Sequence, residues 1–387
     1  MTLKPRSRQE EHRAATPLEL FFDLVFVVAI AHAASDLHHA IAEGHAADGL
    51  LSYTMVFFAI WWAWMNFTWF ASAYDNDDVP YRLLTLVQMS GALILAAGVP
   101  AAFAERDLTV VTAGYVVMRL ALVPQWLRAA RDDSLRRTTA RRYAFGITVV
   151  QAGWVALLAV PEALSVAGFV ALALAELAIP VWAERASATP WHPDHIVERY
   201  GLFTIIVLGE SILAASIAIQ AATSDGASAH DLLAEIVGGV LIVFSLWWLY
   251  FDQPPPELGG SLREPFVWGY GHYAVFASAA AVGAGLAVEV DRVTHHAEIA
   301  PATGALAVAA PVAVYLVSLC LLPGRRGIAT PVSRLLLCAG AAGVLSTPFT
   351  GEPVLVIGAL LGLLLALQLN LRRRQAIGAR SRPSAAD

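Results

Sequence analysis

Charge is what this sequence has least of. Asp, Glu, Lys and Arg make up 14% of its 387 residues, where a soluble domain carries about 25%. So few ionised side chains cannot cover a large solvated surface, which disfavours a disordered chain and a cytosolic globular enzyme. Nor is there a basic groove for nucleic acid. Cysteine is scarcer still. Cys320 and Cys338 both lie in apolar runs, so a disulfide scaffold and a CxxC metal or redox site are excluded, and the two read as packing residues. The sequence also contains no Walker sequence, GxGxxG, GxSxG or HExxH, which removes the common phosphate-binding and hydrolytic signatures.

What fills the chain instead is apolar: 58% of residues are hydrophobic and the mean hydropathy is +0.61. Runs close to the ~20 residues that cross a bilayer occur at 18–37, 50–71, 82–103, 108–127, 142–160, 163–183, 197–221, 231–251, 266–289, 299–322, 332–349 and 353–371. The expected fold is therefore all-α, a polytopic transmembrane bundle of about 12 spans. Two hairpins are tight, at Pro161-Glu162 and at Thr350-Gly351-Glu352. The first apolar run ends in Ala31-His32-Ala33, as a cleaved signal would, but Glu19 and Asp23 interrupt it, and it reads as a retained helix.

Positive charge gives a second measure of topology, because cytoplasmic loops collect Lys and Arg. With the N-terminus inside, every Lys and Arg except Arg106, Arg119 and Arg292 falls on cytoplasmic loops or tails, among them the run Arg128–Arg142 and the group Arg372, Arg373, Arg374, Arg380 and Arg382. Both termini are thus expected in the cytoplasm, and the chain in the bacterial inner membrane. The expected organisation is an N-terminal half over 1–183, a cytoplasmic linker over 184–196, a C-terminal half over 197–371 and a disordered tail over 372–387. Glu19-Leu-Phe-Phe opens the first span and Glu198-Arg-Tyr-Gly-Leu-Phe the seventh, while Trp61-Trp62-Ala-Trp64 answers Trp247-Trp248-Leu-Tyr250. Two parallel six-helix repeats would explain this, and so would the small alphabet of apolar helices.

Three stretches carry a resemblance. Thr16-Pro17-Leu-Glu19-Leu-Phe-Phe-Asp23-Leu-Val-Phe-Val, then Glu198-Arg199-Tyr200-Gly201-Leu-Phe-Thr204 running on to Gly209-Glu210-Ser211-Ile, and Trp247-Trp248-Leu-Tyr250-Phe251-Asp252, occur in order. Together the chain resembles the bacterial low-temperature-requirement A (LtrA) family of integral membrane proteins. That resemblance implies a multi-spanning inner-membrane protein named for a cold-growth phenotype, with no established biochemical activity. It also implies that Glu19, Asp23, Glu198, Arg199, Glu210, Trp247, Trp248 and Asp252 belong to characteristic motifs, without assigning them roles.

Ionisable groups within spans are the informative residues, since a charge at a helix centre costs about 2.5–3.5 kcal/mol even on the lenient insertion scale. Glu210 lies mid-span between Gly209 and Ser211. Arg199 shares its helix face, but eleven residues place it about 16 Å away. Glu210 must find another partner, with Ser211 a candidate, or be neutral; away from water the neutral carboxyl is the cheaper form, as a proton carrier requires. Arg119, midway along the fourth span, stays charged and needs an acid, Glu210 or Asp23, or a substrate anion. Glu19 and Asp23 stand one turn apart on one face of the first span, Glu19 also placed to cap the helix after Thr16-Pro17. Glu176 and His272 read as satisfied interior groups with a secondary claim on the pathway.

His32, Asp36, His38, His39 and His45 cluster near the first outer loop and His295-His296 near a later one, but only His32 and Asp36 have ligand spacing, so no metal is expected. The tryptophans at 61, 62, 64 and 69 and those at 247 and 248 read as an interfacial belt, with stacking on a substrate the alternative. Gly238-Gly239, Gly283 and Gly285 read as close helix contacts. No cofactor is expected. The expected partners are membrane lipid, an unknown small solute and protons, and no nucleic acid. A secondary transporter of a small solute, proton-coupled through these acids, is the favoured class. An intramembrane or lipid-modifying enzyme and a non-catalytic sensor of membrane state in cold adaptation are the alternatives.

Overall fold

The computed structural model describes residues 3–7, 10, 13–226, 232–252, 258, 263–322 and 331–380. Among them are twelve α-helices and no strand: α1 (Pro17–Ala42), α2 (Ala46–Tyr74), α3 (Val79–Ala104), α4 (Thr109–Asp132), α5 (Arg137–Leu157), α6 (Glu162–Glu184), α7 (Pro193–Ser224), α8 (Leu233–Phe251), α9 (Arg263–Val293), α10 (Pro301–Leu321), α11 (Pro331–Leu345) and α12 (Pro353–Arg380). Eleven are long and apolar enough to cross a membrane, α11 being counted together with the 3-10 turn Thr347–Phe349. The exception is α5, whose first turns carry Arg137, Arg141 and Arg142. This is a multi-pass membrane protein.

The helices begin where local chemistry tells them to. Proline, which needs no N–H in a first turn, opens α1, α7, α10, α11 and α12. At α1 the Thr16 amide donates to Glu19 Oε2 at 2.9 Å, and the Glu19 amide donates back to Thr16 Oγ1 at 3.3 Å, a reciprocal cap. Asp78 caps α3 by accepting from the Tyr81 amide at 2.9 Å. Both tight hairpins fall where the sequence places them, before Glu162 and before Pro353.

Burial is inverted relative to a soluble protein. Phe145 and Phe244 are more than 60% exposed, and Leu174 and Leu335 likewise, whereas Glu19, Asp23, Arg119, Glu176 and Arg199 are at most 1% exposed. Lipid tolerates apolar side chains but offers charged ones nothing, so the charges turn inward.

The chain divides into two compact units, Met1–Leu37 with Ala47–Ile206, and His38–Ala46 with Val207–Asp387. In the first unit α3 packs on α4, α4 on α5 and α5 on α6. Its centre is α2, buried on every side from Val56 to Thr68. Residues 184–196 are bound into this unit: the Thr189 amide donates to Glu184 Oε2 at 2.7 Å, and the His192 amide to Ser72 Oγ at 2.9 Å. In the second unit α9 packs on α10, α12 on α8, and α10 on α11. Here α9 is the central helix, buried throughout from Val282 to Val290. Gly283 is what admits α7 to α9, because a Cβ there would lie 2.7 Å from Ser211 Cα.

Three expectations on peripheral residues need revision. Cys320 and Cys338 meet across α10 and α11, their sulfurs 3.8 Å apart, and Cys338 is exposed. The helix α12 continues through the first part of the expected tail to Arg380, while Arg382 lies outside the described residues, as do Arg8, Arg325 and Arg326. Trp61, Trp62 and Trp64 form no interfacial belt: they are at most 2% exposed and form part of the core of α2. Trp247 and Trp248, by contrast, are more than 40% exposed.

Candidate functional site

Two residue pairs spaced one helical turn apart face each other in the first unit. On α1 they are Glu19 and Asp23, on α7 His195 and Arg199. Arg199 Nη1 lies 2.8 Å from Glu19 Oε1 and Nη2 lies 2.5 Å from Asp23 Oδ1, while His195 Nε2 lies 3.2 Å from Glu19 Oε1. The side chains of all four are fully buried. The Trp64 indole adds a donor to Asp23 Oδ1 at 2.7 Å and stacks on Phe203 at 4.1 Å between ring centres. One guanidinium thus offsets two carboxylates, the geometry that makes arginine the residue for buried ion pairs. The sequence reading counts Arg199 with the loop cations; the structure moves it inside. Glu198, its neighbour, points the other way, is exposed, and contacts only the Ala15 amide at 3.4 Å among the described residues.

A second charged cluster in this unit is built on α6. Glu176 Oε2 is 2.9 Å from Arg119 Nη2 and accepts the Trp62 indole at 2.9 Å, while Oε1 accepts Tyr115 Oη at 2.8 Å and Gln151 Nε2 at 2.9 Å. Arg119 therefore takes an acid, but Glu176 rather than Glu210 or Asp23. The physical reason is packing order: α4 and α6 both flank α5, and Glu176 is the buried acid within the span of α6, Glu184 lying at its last residue. Asp75, in the loop between α2 and α3, is 2% exposed, and its carboxyl has no cationic partner within ion-pair distance among the described residues. Burial, reinforced by the charge of Glu19, pushes its pKa up to about 6.

In the second unit Glu210 sits on α7, 8% exposed, with neither a hydrogen bond nor an ion pair among the described residues, and its Oε2 is buried without a partner. Ser211 is not its partner: the hydroxyl donates to the carbonyls of Val207 at 3.2 Å and Ala279 at 2.8 Å. Gly209 does not bring another backbone close either, since nothing stands within 4 Å of where its Cβ would be. His272 is buried between Tyr250 Oη, 3.0 Å from Nε2, and the Trp268 carbonyl, 2.7 Å from Nδ1. A carbonyl only accepts, so Nδ1 carries a proton and donates it to Trp268.

Sequence reasoning missed two acids here, Glu235 and Glu289. Glu289, fully buried on α9, pairs with Arg292. Glu235, 5% exposed in the first turn of α8, has no hydrogen bond or ion pair among the described residues, and its Oε2 is buried without a partner. Both lie at span ends, where an acid reads as a loop charge; the signal that could have found them is their place inside otherwise apolar runs. Two histidines of these clusters pair with aspartates, His38 with Asp291 at 2.6 Å and His296 with Asp225 at 2.9 Å. Among the described residues no three His, Cys, Asp or Glu side chains converge as a metal site would need.

No solved structure matches the chain. An uncharacterized protein of Rhizobium meliloti (strain 1021) is 28% identical over 287 residues, covering 70% of this chain and 68% of that protein. The pattern of the bacterial low temperature requirement A protein matches residues 14–369, a stretch that includes the Glu19–Arg199 cluster, Glu210 and all but the end of α12. With nearly its whole length matched, the chain belongs to the bacterial low temperature requirement A (LtrA) family.

Proposed function

We propose that this chain is a secondary transporter of a small solute in the bacterial inner membrane, with both termini cytoplasmic, and that Glu210 is the group through which transport is coupled to protons. The observation that carries the reading is the state of Glu210. It is a buried carboxyl in the middle of an apolar helix with no hydrogen bond or ion pair among the described residues. A carboxyl kept only for structure would be expected to be tied, as Glu176 is, because each unsatisfied polar atom in hydrocarbon costs free energy and contributes no rigidity. An untied carboxyl is free to change protonation as a path to either side opens, which is what coupling requires. The ion-paired charges on α1, α4, α6 and α7 of the first unit supply a fixed framework on this reading.

The test is electrical. Purified protein in proteoliposomes is subjected to pH jumps on a solid-supported membrane, and the charge movement is recorded with and without a panel of small solutes. Wild type should give a pH-driven current that one class of solute enhances, and Glu210→Gln, which reproduces the protonated acid, should abolish the current while remaining folded and inserted. An unchanged current in well-folded Glu210→Gln would end the assignment.

A further inference from the structure

The second unit contains a cavity of about 270 Å³ between α7, α8 and α9. Its wall is apolar almost throughout, with Ile219 of α7, Phe244 of α8 and Leu286 and Val290 of α9 among the lining residues. Phe244 is 61% exposed, so the space reaches the surface of the unit. A sealed apolar cavity of roughly 150 Å³ accepts benzene; this one has room for a ring and a short chain.

Two polar side chains break the wall. Ser216 is satisfied, its hydroxyl donating to the Ile212 carbonyl at 2.8 Å. Glu235 is not: it is 5% exposed, lines the cavity, and has a buried Oε2 without a partner among the described residues. Its place in the first turn of α8 favours the ionised form through the helix dipole, yet none of the first-turn amides donates to it. Arg292, a cation whose charge acts on Glu235, is already engaged, paired with Glu289. With Glu289 and Arg292 balancing one another, Glu352 adds further negative charge around Glu235. An apolar chamber with one unengaged carboxylate and surplus negative charge is complementary to a ligand with an apolar body and a single positive charge. Phe244 at the surface adds a ring face that attracts the same kind of ion.

We propose that this cavity is a binding site for a monovalent organic cation, an aryl- or alkylammonium of about the size of phenethylammonium, with Glu235 as the counter-ion. The site is distinct from Glu210, which is not on its wall, and stands whether or not Glu210 carries protons.

Equilibrium binding of radiolabelled phenethylammonium to the full-length protein, purified in detergent, tests the proposal. Wild type should bind it saturably, with one site per chain. The neutral isostere 2-phenylethanol should compete about tenfold more weakly, because it lacks the charge that the carboxylate recognises. Glu235→Gln should lose about tenfold in affinity and Glu235→Asp, which keeps the charge, no more than about threefold. Circular dichroism and size-exclusion profiles establish that each variant is folded. Equal binding of the cation and the alcohol, undiminished binding by folded Glu235→Gln, or no saturable binding by folded wild type would each overturn the proposal. A co-purified lipid seen by native mass spectrometry that phenethylammonium fails to displace would overturn it as well, by assigning the cavity to lipid.

Discussion

The two units treat buried charge in opposite ways. In the first, Glu19, Asp23 and Arg199 lock α1 to the start of α7, and Arg119 and Glu176 lock α4 to α6, with indole, phenol and amide donors filling much of the remaining bonding capacity. In the second, Glu289 pairs with Arg292, but Glu210 and Glu235 stand buried with no ion pair among the described residues. Ion pairs at this depth hold helices in register at a desolvation cost that only good geometry offsets. An acid left without a partner gives no such return. The difference separates a framework from a working region, and four measurements can break or sharpen it.

The largest effect is expected at Arg199. Replacing it with Met leaves two carboxylates side by side without a cation and should cost about 3–5 kcal/mol, enough to abolish recovery of folded protein in a size-exclusion assay. The triple variant Arg199→Met, Glu19→Gln, Asp23→Asn should recover part of that loss. If Arg199→Met alone is as stable as wild type, the first unit is no framework.

Glu176→Gln comes next. The amide keeps one acceptor oxygen where the carboxylate has two, so it can accept from Trp62 or from Tyr115 but not from both, and it leaves Arg119 without its anion; a loss of about 2–3 kcal/mol is expected, read as a lowered thermal midpoint by tryptophan fluorescence. A loss under about 0.5 kcal/mol would show that Arg119 finds another anion, and would weaken the contrast between the units.

Asp75 is the exception inside the first unit, a buried acid with no cation at ion-pair distance. Its pKa is raised to about 6, from 3.8 for the free side chain, so the folded state takes up a proton that the unfolded state does not hold. Its contribution to stability is therefore full below about pH 4 and is lost as pH rises through 6. Acidification from pH 7 to 5 should raise the thermal midpoint of wild type more than that of Asp75→Asn, by the equivalent of about 1 kcal/mol. Parallel pH curves for the two proteins would remove Asp75 as the cause.

The smallest stability effect belongs to Glu210. With no partner among the described residues to lose, Glu210→Leu should lie within about 1 kcal/mol of wild type or be more stable, unlike deletion of a paired charge in the first unit. A destabilisation of about 3 kcal/mol would mean that Glu210 is tied in the membrane, and the comparison between the units would fail.

Much of this could be read from the chain alone. The apolar runs give twelve helices within a few residues of their ends, and Thr16 three residues before Glu19 marks the cap of α1. The depth of Asp23, the need of Arg119 for an acid and the isolation of Glu210 from Arg199 are visible in spacing. The identity of the partners is not. From spacing alone Arg119 matches Glu210 or Asp23, both prominent acids, while Glu176 lies on a helix that buries little else. Trp62 and Trp64 read as a belt because tryptophan favours interfaces; instead both donate to buried carboxylates. Glu235 went unnoticed because a first-turn acid is ordinary until a cavity opens beside it.

The division has a physical reason. Whether a stretch can span a membrane depends on about twenty consecutive side chains and is a local, nearly additive property, so the sequence by itself determined the helices, the membrane class and the scarcity of buried charge. Which charges meet depends on how each helix is rotated and which neighbour it packs on. Asp23 and Arg199 are 176 residues apart and Arg119 and Glu176 are 57 apart. Only the tertiary structure could decide that those four find partners, that Glu210 and Glu235 do not, and that one of the unpaired acids faces open space.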